Sequence, residues 1–103
     1  NQNGKDGNKM IFYYSENKNE EMVKYFIDCG ADLNVKNKNG DTLLMISWEK
    51  ENYDSVKYLI ERGAAINKKN KDGNTILMLA CKKENLEMIK FLVNHGADVN
   101  QVN

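Results

Sequence analysis

A stacked array of small helical repeats is the fold class this chain predicts, and two observations predict it. Sliding the sequence by 33 residues lays Gly7, Gly40 and Gly73 on one another, and Gly30, Gly63 and Gly96 likewise. Asn1, Asn34, Asn67 and Asn100 share that register. A fixed period of this size marks units that stack in a row. Each period also holds two short apolar patterns of helical spacing, set between a turn signal and a glycine stop. Isolated helices shorter than about 12–15 residues are marginal in water, so neither pattern stands alone. Each unit must bury its apolar side against a neighbour, and stability resides in those nearest-neighbour faces.

Residues 1–7 read as a tail and a turn, with Asn1 at the position that closes a unit. That phase predicts a fragment of a longer array, a single domain over 1–103 with units at about 4–36, 37–69 and 70–102. In unit one the first helical segment is bulky and aromatic, Met10-Ile11-Phe12-Tyr13-Tyr14-Ser15. Its second carries Met22, Val23, Phe26 and Ile27 at the i, i+1, i+4, i+5 spacing of one buried face. Gly30 then suits a left-handed helix stop, where a Cβ is unwelcome. Unit two turns at Asn39-Gly40-Asp41, and Thr42 offers its hydroxyl to the open amides of Leu44 to Trp48. Such a cap is worth ~1 kcal/mol. A second helix from about Tyr53 to Arg62 buries Val56, Leu59 and Ile60 before Gly63. Unit three repeats the plan, with Thr75 as cap and Met88, Ile89, Leu92 and Val93 as the buried stripe. Units two and three are identical at fourteen of 33 positions.

Gly30-Ala31-Asp32-Leu33-Asn34, Gly63-Ala64-Ala65-Ile66-Asn67 and Gly96-Ala97-Asp98-Val99-Asn100 close the three units in phase. With the turns Asn39-Gly40-Asp41-Thr42 and Asp72-Gly73-Asn74-Thr75, the chain resembles ankyrin repeats over about residues 4–103. The resemblance implies an all-α solenoid of helix-turn-helix units joined by β-hairpin-like turns that project at right angles to the helices. Where the family opens its first helix with Thr-Pro-Leu-His, this chain reads Thr42-Leu43-Leu44-Met45 and Thr75-Ile76-Leu77-Met78. Losing proline forfeits a pre-set φ, and methionine cannot replace the histidine's hydrogen bonds, so lower stability is expected. Unit one departs further: Lys9 to Phe12 replace the tetrad, and Glu20 stands where the others carry Tyr53 and Leu86. Unit three stays apolar, which predicts an outer face that takes another repeat or self-associates.

Composition narrows the function. Fifteen basic and fifteen acidic residues leave a formal net charge of +0, so no global field points to nucleic acid or membrane. No apolar run reaches the ~18 residues of a membrane span. Cys29 and Cys81 sit at different positions within the period, against a disulfide framework and in keeping with a reducing compartment. Cytoplasm is the expected location, the host-cell cytosol if the source is a secreted effector. Cys29, Cys81 and His95 lack zinc-ligand spacing. Cys81 reads as a packed thiol, and His95 and Cys29 as half-exposed helix ends. No phosphate loop or nucleophile elbow is present, so neither cofactor, metal nor catalysis is expected.

What the resemblance implies instead is a rigid concave surface of turn tips and first helices that grips a protein partner. Carried onto this sequence, the surface is Lys38, Asn39, Asp41, Glu49, Lys50 and Lys69, then Lys71, Asp72, Asn74, Lys82 and Lys83. Trp48 is either an exposed apolar anchor, the residue type enriched at binding hot spots, or filler against Tyr14 or Cys81. Lysines crowd the turns at Lys36, Lys38, Lys68, Lys69 and Lys71, which reads as a solvated edge or as steering for an acidic partner. A spacer role within a longer array is the alternative. Nucleic-acid binding through the same lysines is disfavoured, because no aromatics are interleaved with them.

Overall fold

The computed structural model describes residues 10–101. The readings placed on Asn1 to Lys9, and the end of the third unit at Val102, lie outside these residues. Six helices and no strand occur among them: α1 (residues 10–16), α2 (Glu20–Asp28), α3 (Leu43–Glu49), α4 (Tyr53–Glu61), α5 (Ile76–Lys82) and α6 (Leu86–Asn94). None is long and apolar enough to cross a membrane.

Local chemistry sets each boundary. Thr42 and Thr75 have extended backbone, and each Oγ1 accepts from the amide three residues on, Met45 at 3.4 Å and Met78 at 3.3 Å. These are the capping bonds expected of a threonine there. Asn19 and Asn85 cap α2 and α6 in the same way, accepting from Met22 at 3.2 Å and Met88 at 3.1 Å. At the other end, Gly63 has φ +99° and donates to the Ile60 carbonyl at 3.1 Å. Ala64 reaches back to Leu59 at 3.0 Å. This paired closure is a Schellman stop, and it recurs at Gly30 and Gly96.

The links between paired helices hold a feature the sequence reading lacked. Lys18, Glu51 and Glu84, one period apart, have φ of +59°, +60° and +56°. A left-handed non-glycine residue costs roughly 1–2 kcal/mol. The sharp reversal that lays α4 back on α3 outweighs it, because it drops Val56 and Leu59 into the core at 0 % exposure.

Stacking follows from the apolar faces. α2 packs on α4, α3 on α5, and within units α3 on α4 and α5 on α6. One cluster runs through all three units, from Ile11 and Val23 through Leu43, Val56 and Leu59 to Ile76 and Leu92. Asparagine side chains lock the step between units. Asn34 Oδ1 accepts from the Ala65 amide and Asn67 Oδ1 from the Asp98 amide, each at 2.8 Å. The period-33 asparagines therefore hold each unit to the next.

Along the second helices, Lys24 lies over the Tyr58 ring at 5.3 Å and Lys57 over Phe91 at 5.5 Å. These are cation–π contacts repeated with the period. Tyr58 donates to the Asp28 carboxylate at 2.5 Å, and Arg62 pairs with the same carboxylate at 2.9 Å. The bond to Asp28 holds the Tyr58 phenol above its ordinary pKa.

The buried stripes hold where neighbours exist on both sides. Val56, Leu59 and Ile60 are all buried, whereas in unit three only Met88 and Leu92 are. Val93 is 40 % exposed, against 8 % for its counterpart Ile60. In unit one Val23 and Ile27 are buried, and Met22 and Phe26 half-buried. Nothing in the described residues stacks beyond the outer units, which is why their stripes are incompletely covered.

Candidate functional site

Two turns carry the tip wall of the concave face. In unit two, Asn37 Oδ1 accepts from the amides of Asn39 at 2.9 Å and Asp41 at 3.0 Å. Asn70 does the same in unit three, for Asp72 and Asn74, both at 3.0 Å. Each turn is further closed by paired backbone bonds, Asn37 N–H to Asp41 O and Asn70 N–H to Asn74 O, each 3.0 Å. A single antiparallel bridge joins Lys36 to Thr42. The turns are thus hairpin-like without forming strands.

Adjacent turns are fastened to each other. Asn70 Nδ2 donates to Asp41 Oδ1 at 3.2 Å, and Lys36 Nζ to the Lys69 carbonyl at 2.9 Å. Tip side chains held this way lose little freedom when a partner arrives.

Between the tips and the first helices of units two and three lies a groove of about 460 Å³. Asp41, Asp72, Asn70 and Asn74 line its tip wall; Glu49, Lys82 and Lys83 line the wall at the helix ends; Met45, Trp48 and Leu79 form its floor. Of the twelve residues carried over from the family resemblance, Asp41, Trp48, Glu49, Asp72, Asn74, Lys82 and Lys83 meet here. Lys38, Asn39, Lys69 and Lys71 are exposed on the turns outside the groove lining, and Lys50 is half-buried after α3. Lys36 is engaged in the inter-unit bond, so the lysine edge is partly structural.

Trp48 is not an exposed anchor. It is 4 % exposed and fills space, its ring against Tyr53 with centroids 5.0 Å apart, where Tyr14 or Cys81 was the expected neighbour. The pairing partner was unreadable because Tyr53 belongs to the next helix, returned by the left-handed Glu51. Cys81, at the equivalent position, is exposed instead of packed. Its side of α5 faces the open end of the described stack, where no fourth helix pair covers it. Cys29 and His95 are exposed as well, with His95 Nδ1 2.8 Å from the Phe91 carbonyl. No group of three metal-ligating side chains occurs among the described residues.

Met45, Leu79 and Asn70 were missed by the sequence reading. For Asn70 the available signal was the period itself, since Asn70 repeats Asn37; Met45 and Leu79 fall at different positions of the period, which therefore gave no signal for them. The groove has an apolar floor and charged walls, and no nucleophile with a neighbouring base lies in it.

The chain matches the family described as Ankyrin repeats (3 copies) over residues 10–103. A search of curated proteins found no match. Ankyrin repeats are in general non-catalytic protein–protein interaction modules. With that match spanning nearly the whole sequence, and with the helix pairs, tips and glycine stops stepping by 33 residues, the chain belongs to the ankyrin-repeat family.

Proposed function

We propose that this chain binds another protein through the concave groove between units two and three, and has no catalytic role of its own. The observation that carries the reading is the groove itself: an apolar floor with charged walls, built on turns pinned to one another by Asn70 and Asp41. Interfaces of this kind gain affinity from rigid scaffolds because few side chains must be ordered on contact. The exposed lysines at Lys38, Lys69 and Lys71 stand outside the groove, where charge acts on encounter rate more than on the bound state. That placement suits steering of a partner whose approaching surface is acidic.

Affinity capture with three forms of the chain tests the reading. Glu49→Lys combined with Lys82→Glu reverses exposed groove charges, while Glu61→Lys alters the face carrying the second helices. Proteins retained by the parent and by Glu61→Lys should be lost from the groove double variant, with unfolding midpoints unchanged. Lys38→Glu, Lys69→Glu and Lys71→Glu together should slow association with the same protein. Equal capture by all forms would remove the groove from the account.

A further inference from the structure

The groove is not electrically uniform, and its asymmetry specifies a ligand chemistry. Glu49 and Lys82 occupy the same position in successive units, yet their charges are opposite. Lys83 reinforces the positive corner, while Asp41 and Asp72 make the tip wall acidic. On the opposite face charges find mates within the chain, Arg62 with Asp28 at 2.9 Å and Lys57 with Glu87 at 3.8 Å. None of Glu49, Asp72, Lys82 and Lys83 has an ion-pair partner among the described residues. Leu79, one turn before Lys82 on α5, is the half-exposed apolar residue of the same groove lining.

We propose that the groove takes an extended partner segment carrying a cation toward the carboxylates of unit two, one apolar side chain over Leu79, and an anion at the Lys82–Lys83 corner. This rests on the groove reading above and names its ligand. Spacing supports an extended segment. Packed helices such as α3 and α5 stand about 8–10 Å apart, and alternate residues of an extended chain share one face about 6.6 Å apart. Cation, apolar residue and anion at i, i+2 and i+4 turn their side chains the same way and cover about 13 Å, enough to bridge two helices at that separation. Either chain direction satisfies the order of charges, so the proposal fixes composition and spacing.

Three synthetic peptides with blocked termini test it: Lys-Ser-Leu-Ser-Glu, Lys-Ser-Leu-Ser-Lys and Glu-Ser-Leu-Ser-Glu. Each is titrated into the full chain at low salt, read by backbone amide shifts of residues 41–49 and 70–83 and by fluorescence of Trp48, the sole tryptophan. The mixed peptide should bind roughly two- to fivefold tighter than either uniform one, the range expected of exposed charge pairs. In a Lys82→Glu, Lys83→Glu variant the preference should move to the doubly basic peptide. Equal affinity for all three, or an unchanged order in the variant, overturns the charge assignment and leaves the groove as a docking face. No response to any peptide overturns both.

Discussion

Replacing Leu59 by alanine should destabilise the whole array by about 2–5 kcal/mol, the usual range for emptying a buried leucine site. Leu59 is 0 % exposed on α4, which packs on α2 in unit one as well as α3 in its own unit. A typical domain has only about 5–15 kcal/mol in total, so much of the stability is lost at once. Leu92, its counterpart on α6, is also 0 % exposed. Yet Leu92→Ala weakens an outer unit, and in a linear array an outer unit can open while the rest stays folded. Urea unfolding followed by amide exchange separates the two. Leu59→Ala should speed exchange in all units, and Leu92→Ala chiefly in α5 and α6. An identical pattern for both variants would contradict nearest-neighbour stability.

Gly40→Ala should be nearly as costly for a different reason. Gly40 has φ +76°, where an L side chain costs roughly 1–2 kcal/mol. A Cβ there would also stand 3.0 Å from the Lys71 amide nitrogen and 3.1 Å from Lys71 Cγ, so the unit-three turn must shift. That shift pulls against the Asn70–Asp41 bond and widens the groove. Gly63→Ala is the control, with φ +99° and nothing within 4 Å of the added carbon. Both variants should lose stability, measured by thermal unfolding, but only Gly40→Ala should displace the amide resonances of Asn70 to Asp72. A neutral Gly40→Ala would mean the tips are not in contact.

The comparison of these glycines explains what was legible in the sequence. Gly30, Gly40 and Gly63 could be read because each position demands a backbone that other residues resist. Thr42 and Thr75 could be read because a hydroxyl before an apolar helix has one obvious use. Second-helix bounds fell within a residue or two: about Tyr53 to Arg62 was expected, and Tyr53–Glu61 is observed. The left-handed Lys18, Glu51 and Glu84 could not be read, since nothing about lysine or glutamate asks for positive φ. Without that reversal, Trp48 could not be placed against Tyr53. Asp41 and Asp72 belong to the expected surface, but their place on the groove wall, apart from the lysines, was not readable. Lysines outnumber carboxylates along the turns, but Asn37 and Asn70 fix the loop so that Asp41 and Asp72 line the groove while Lys38 and Lys71 do not.

Interchangeable units stack here with one repeated interface. Inserting a second copy of residues 37–69 directly after Lys69 tests this most directly, with small-angle scattering and urea unfolding measured on the lengthened chain. The new unit would meet the same neighbours that Asn34, Asn67 and Leu59 already meet. The molecule should stay folded, lengthen by about 8–10 Å along the stacking direction, and unfold at higher urea with a steeper slope. A lengthened chain that loses cooperative unfolding, or swells evenly in all directions, would show that the units share one central core and do not form a row.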